Sequence, residues 1–218
     1  MKTKVIGIGA GGHAKVVLEI LRLSGRFEVE GLLDVNTALW HKTVSGVVVL
    51  GGDDLLAELR TKGLRHVFIG VGSTRQMEPR RRLYLTARNL GLRAVNAIHP
   101  FSSVSAGVAM GDGVTIMAGA IINVDARLGE NVIVNSGAVV EHDCTIGDHV
   151  HIATGAKLAS TVQIGSGTHV GAGACIRQCV IVGQNVTVGA GAVVVHDVPD
   201  NVIVVGVPAR PMADTTGS

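Results

Sequence analysis

The chain has 218 residues, 47% hydrophobic and 17% charged, with a net charge of +2, enough for one large or two small compact domains. It has no run of roughly 18 consecutive apolar residues, and Lys2 and Lys4 lead into a short apolar stretch with no cleavage pattern behind it, so neither a membrane span nor a signal peptide is expected. Without an export signal, Cys144, Cys175 and Cys179 read as reduced thiols of a cytoplasmic protein.

In chain order, residues 4–8 read as a short β-branched strand. Residues 11–23 read as a helix with Val16, Val17, Ile20 and Leu21 at helical spacing. Further strands are predicted at 28–33, 66–71 and 93–96, with helices at 53–61 and 75–90. This alternation predicts a small Rossmann-like parallel α/β unit over residues 1–98. Gly7, Gly9 and Gly12 fit G-x-G-x-x-G after a strand, and Asp34 lies 22 residues beyond Gly12. A dinucleotide site uses two mononucleotide halves and this unit supplies one, so NAD is not expected. A glycine turn at a helix N-terminus does suit a phosphate. On the residues alone, a nucleotide site and a purely structural turn both remain open.

Composition changes near His99-Pro100. All five aromatics (Phe27, Trp40, Phe68, Tyr84, Phe101) lie in the first 101 residues. Those residues carry 15 Lys and Arg against 8 Asp and Glu, a balance of +7, whereas residues 102–218 carry 4 against 9, a balance of −5. The positive half suits an anionic ligand. It lacks the interleaved aromatics of a single-stranded nucleic-acid site, so no nucleic-acid partner is expected, and no membrane partner either.

Residues 99–218 are a repeat. Cut every six residues from His99, the chain has an aliphatic residue or Met at every sixth position from Val104 to Val194. Every fourth position from Ser102 to Val198 holds Ser, Thr, Val, Ala or Cys. A six-residue period held this long is the signature of a parallel β-helix of hexapeptides. Fourth and sixth positions face the same way and fill the interior, while glycine at the first position is expected to make each corner. Gly119, Gly137, Gly155, Gly173 and Gly191 recur every 18 residues, so three hexapeptides form one coil and these glycines stack along an edge at about 4.8 Å per coil. The first unit and the tail 195–218, with Pro199, Pro208 and Pro211, are expected to cap the two ends.

Three segments carry a family resemblance: the turn Gly9-Ala-Gly-Gly-His-Ala-Lys15, the stretch Glu141-His-Asp-Cys-Thr-Ile-Gly-Asp-His-Val-His-Ile-Ala-Thr-Gly-Ala156, and Val205-Gly-Val-Pro-Ala-Arg210. Together they resemble the sugar O- and N-acetyltransferases of the NeuD, PglD and PerB type over nearly the whole chain. The resemblance implies that the β-helix is left-handed and that the protein is a homotrimer with active sites between neighbouring prisms. It implies transfer of acetyl from acetyl-CoA to an amine or hydroxyl of a nucleotide-linked sugar, such as a UDP- or GDP-4-amino sugar, for surface glycan synthesis. His142 would be the general base and Asp143 the acidic neighbour that strengthens it. His151, Ser160, Ala172 and Ala190 would contact acetyl-CoA, with Ser160 standing where some members have glycine. Gly11, Gly12, His13 and Asp34 would hold the nucleotide sugar.

The residues agree with that chemistry on their own terms. An amine attacking a thioester must lose a proton, and a neutral imidazole is the right base near pH 7. His142 lies outside the packed interior, next to a corner, with Asp143 following; a nearby carboxylate raises an imidazole's basicity and fixes its tautomer. Neighbours on a regular strand point to opposite sides, so their contact is left open. His196-Asp197 repeats the dipeptide 54 residues later, in the terminal segment, and reads as structural. Thr154, Ala172 and Ala190 form a column of small residues suited to a pantetheine arm. His149, His151 and His169 do not reproduce the zinc spacing of hexapeptide-fold carbonic anhydrases, so no metal is expected. Cys144 falls at an interior position. The rival readings are O-acetylation, as of sialic acid, and a non-catalytic scaffold that only binds nucleotide sugar.

Overall fold

The computed structural model describes residues 2–72 and 77–212. The predicted helix start at Arg75 and the last six residues of the predicted tail lie outside them. The first half is a six-stranded sheet built from β1 (Thr3–Ile8), β2 (Phe27–Leu33), β3 (Thr43–Val44), β4 (Val47–Gly51), β5 (His66–Ile69) and β6 (Arg93–Ala94), in the order β3-β4-β2-β1-β5-β6. All neighbours pair in parallel except β3 and β4. That hairpin corrects the sequence reading, which has no strand between residues 34 and 53. Ser45 and Gly46, at φ 48 and 77, form its turn, the double left-handed geometry that two-residue hairpins prefer.

Helix α1 (Gly12–Ser24) buries Ala14, Val17, Leu18, Ile20 and Leu21 on one face of the sheet. Helices α2 (Leu55–Thr61) and α3 (Glu78–Asn89) cover the other, through Leu56, Tyr84 and Ala87. The core around α1 also takes in Ala97, Met117 and Ile133 from the second half, so the two halves share apolar packing.

The second half is a parallel β-helix of two-residue strands in three sheets, one per face of a triangular prism. The first face holds Thr115–Ile116, Ile133–Val134, His151–Ile152 and His169–Val170; the second holds Val139–Val140 and Lys157–Leu158; the third holds Arg127–Leu128 and Thr145–Ile146. Up to Val194, strands pair with those 18 residues on, as His151 does with His169. Fourth and sixth positions supply the core, from Val114 and Ile116 to Ala192 and Val194. Cys144 is buried among them.

The corner residue, however, is the third of each hexad and not the first. Every third position from Gly113 to Gly191 has a left-handed backbone, including Asp125, Asn131, Asp143, His149, Thr161, Cys179 and Asn185. First-position glycines serve close approach instead: a Cβ on Gly165 would sit 2.5 Å from the backbone nitrogen of Gln184 in the next coil. At the far end, Ile203–Val205 extends the first face and pairs antiparallel with Arg210–Pro211. Among the described residues no helix is long and apolar enough to cross a membrane.

Candidate active site

The glycines of the N-terminal turn divide by what surrounds them. A Cβ on Gly7 would collide with Phe68 and Leu32, at 2.3 and 2.5 Å, and Gly9, at φ +100, would meet Val71 at 2.7 Å. These two permit tight strand packing and the turn itself. A Cβ on Gly11 or Gly12 would meet nothing within 4 Å, so these two leave space in front of the helix N-terminus. The first turn of α1 carries no acidic side chain and its N-cap Gly11 makes no side-chain hydrogen bond, which keeps its N–H groups for an acceptor from outside. Asp34 braces the turn: its two carboxylate oxygens accept the N–H groups of Ala10 at 2.7 Å and Asn36 at 2.8 Å.

His13, in the same turn, is carried against the first face of the prism. Its Nε2 lies 3.3 Å from Nη1 of Arg80. Burial, then Arg80, then His151 push its pKa down to about 3. His151 points outward from the prism but is buried, because the first half covers that face. Its Nε2 is 3.3 Å from Nδ2 of Asn135, and its ring meets His169 edge-on at 4.9 Å between centroids. His149 turns elsewhere, to Asn131 and the ring of Tyr84. Among the described residues no group of three His, Cys, Asp or Glu side chains converges to hold a metal ion.

His142 and Asp143 occupy the edge between the second and third faces. Because Asp143 is at φ 60, the alternation of a regular strand is interrupted and its carboxylate swings beside its neighbour: His142 Nδ1 and Asp143 Oδ2 are 2.6 Å apart. A carboxylate only accepts, so Nδ1 carries the proton and Nε2 keeps a lone pair. Both side chains are about half exposed, at 49% and 55%. A cleft of about 510 Å³ opens beside Asp143, lined also by Asp125, Arg127 and Thr145. Ser160 lies one coil on, where Thr161 N–H donates to His142 O at 3.0 Å. The repeated pair differs. Asp197 is not among the left-handed residues, and its Oδ1 accepts the N–H of Ile181 at 2.8 Å.

Thr154, Ala172 and Ala190 are exposed and stacked on another edge, beside Gly155, Gly173 and Gly191, directly after the strand of His151. One chain therefore brings together His13, His151 and the small-residue edge, and separately His142, Asp143 and Ser160. The edge carrying His142 is opposite the face carrying His151.

The PglD N-terminal domain model matches residues 4–84, and the bacterial transferase hexapeptide model matches residues 125–160. No curated protein gives a significant match. PerB of Caulobacter crescentus, solved with CoA and GDP-perosamine, is 42% identical over 96% of this chain and 97% of that one, with a TM-score of 0.90. The chain belongs to the PglD and PerB family of sugar N-acetyltransferases. Another relative in this family, the acetyltransferase domain of PglB from Neisseria gonorrhoeae in complex with acetyl coenzyme A, is 38% identical over 97% of this chain and all of its own length, with a TM-score of 0.89. WeeI from Acinetobacter baumannii is 27% identical, with a TM-score of 0.81.

One buried cation beside His13, Arg80, is not among the residues singled out from the sequence. It lies on the buried stripe of α3 with Tyr84 and Ala87, and nothing in the run Arg80-Arg81-Arg82 singles it out. It is fully buried. Its guanidinium donates to the carbonyls of Ile69 at 2.9 Å and Val71 at 2.8 Å, and reaches Gly113 and Asn131 in the prism at 3.3 and 3.5 Å. Asn135 is not singled out from the sequence either, and His169 only as a rejected metal ligand; both are ordinary outward hexad positions, and the fold sets them against His151.

Proposed function

We propose that the protein transfers the acetyl group of acetyl-CoA to the amine of a nucleotide-linked amino sugar, with His142 as general base. The observation that carries this reading is the His142–Asp143 pair, a partly exposed imidazole whose Nδ1 proton is held by a carboxylate and whose Nε2 is left to accept. As the sugar amine attacks the thioester carbonyl, Nε2 takes its proton. When the C–S bond breaks, the imidazolium returns that proton to the departing thiolate, so atoms and charge balance without an acyl-enzyme. Thr154, Ala172 and Ala190 offer an open edge for the pantetheine arm, and Gly11, Gly12 and His13 a place for the diphosphate. The likeness to PerB, solved with GDP-perosamine and CoA, supports the substrate class.

On this reading the chain divides near residue 98 into a sugar-binding unit and a transfer unit. The working protein is a closed homotrimer: the base edge of one prism meets the His151 face and sugar-binding unit of the next, since one chain holds the two on opposite sides. Acetyl-CoA and nucleotide sugars are cytosolic metabolites, so the reading locates the protein in the cytoplasm. A mass-spectrometric screen of nucleotide-linked amino sugars with acetyl-CoA tests it. Acetylated product from at least one 4-amino sugar is expected, and acetylation confined to hydroxyl groups would overturn the N-transfer assignment.

A further inference from the structure

Arg80 is a buried cation with no anion of its own. Among the described residues no carboxylate pairs with it, and its charge is met by backbone carbonyl dipoles and by Nε2 of His13. Nη1 gives its two N–H groups to the carbonyls of Ile69 and Val71, so its 3.3 Å approach to Nε2 is only a secondary contact. A guanidinium nitrogen cannot accept, however; a proton on Nε2 would find no acceptor there, so the facing nitrogen is the unprotonated one. The proton of the neutral ring is then on Nδ1, which makes no hydrogen bond among the described residues. His13 is also the second residue of α1, next in the chain to the open positions Gly11 and Gly12, and its Nδ1 lies against Gly72 just past the carboxyl end of β5, 3.5 Å from where a Cβ there would sit.

We propose that Arg80 is a positioning residue of the nucleotide-sugar site: by setting a group that cannot accept against Nε2 it fixes His13 as the neutral Nδ1–H form, which donates a hydrogen bond to the diphosphate. This rests on the function proposed above and deepens it. Phosphate oxygens at neutral pH accept only, so a ring that could present a bare nitrogen to them would repel. The fixed tautomer removes that alternative. The groups facing His13 are Arg80 from α3 and His151 from the first face of the prism. Neither favours an imidazolium, and burial opposes it further, holding the His13 pKa at about 3. Even lowered to about 9 by burial, Arg80 stays charged at pH 7. His13 is therefore a neutral donor throughout the range from pH 5 to 8, and in the free protein its own titration gives binding no pH dependence there.

The test combines a spectroscopic readout with two substitutions. Long-range 15N–1H correlation on the intact protein, with the His13 signals assigned by their loss in His13→Asn, is expected to show a protonated Nδ1 and bare Nε2 unchanged from pH 5 to 8. Asn places its amide N–H near the Nδ1 position and Gln near Nε2. In calorimetry with GDP-perosamine, His13→Asn is expected to bind within a few-fold of the parent, and His13→Gln to lose about 10- to 100-fold, the worth of a hydrogen bond to a charged group. Arg80→Met, where it folds, leaves His13 buried and neutral but no longer sets a guanidinium against Nε2, so the spectrum should show a mixture of the two tautomers and binding should weaken a few-fold; where it does not fold, the spectrum and the His13 pair decide. An Nε2–H ring, a ring titrating near its ordinary pKa, or Gln binding better than Asn would overturn the inference while leaving the proposed function standing. A parent protein that binds no nucleotide sugar would overturn that function instead.

Discussion

Two corners of the prism carry the same dipeptide, yet only one makes a dyad. At His142-Asp143 the acidic residue is left-handed and reaches back to the imidazole at 2.6 Å. At His196-Asp197 the regular corner rhythm has ended, and the carboxylate caps the backbone of Ile181 instead. Residue identity is constant, so the difference lies in the backbone dihedral of the second residue. A catalytic pair is a property of where the hexad frame sets its left-handed residue. The glycines of the N-terminal turn teach the same lesson: Gly9 is needed for the fold, Gly12 leaves room for a ligand.

Substitution at both corners should widen that contrast. His142→Asn is expected to lower kcat by at least about 100-fold with acetyl-CoA affinity unchanged, because the imidazole acts mainly in the transition state. His196→Asn should be nearly silent in the same steady-state assay. Asp143→Asn should cost about tenfold in kcat alone and almost nothing when added to His142→Asn, since the two act as a unit; additive losses would break the dyad. Gly12→Val should weaken nucleotide-sugar binding at least about tenfold in calorimetry while leaving thermal unfolding unchanged, whereas Gly9→Val, left-handed and crowded by Val71, should lower the unfolding midpoint. The smallest effect concerns the corner directly above the dyad. Thr161 is β-branched at φ 63, and Thr161→Gly should raise stability by about 1 kcal/mol in denaturant unfolding, the scale of strain a left-handed L-residue carries.

Much of this was legible in the sequence. The six-residue period gives the prism and its core, and the absence of aromatics after Phe101 fits its narrow interior. The corner position was legible too, since Gly, Asp and Asn dominate the third position of the hexad, but the first-position glycines drew the assignment away from it. Because of that, contact between His142 and Asp143 could not be derived from strand alternation. The burial of His151 and the role of Arg80 were not legible, since both depend on how the first half sits on one face of the prism. No local pattern encodes a long-range packing of two units. The β3–β4 hairpin was missed although Val47-Val48-Val49-Leu50 is a plain strand signal beside a Ser-Gly turn.

The edge of His142 and the face of His151 and His13 lie on opposite sides of a single prism, so on the function proposed above one working site joins two copies. Co-expressing His142→Asn chains with Gly12→Val chains tests it most directly, with kcat/KM for the nucleotide sugar measured on the mixed trimers. Random mixing leaves about a quarter of the interfaces with an intact base from one chain and an intact sugar site from its neighbour. Recovery to about a quarter of the parent value is expected, and a value no higher than the mean of the two separate variants would mean that each copy builds its site alone.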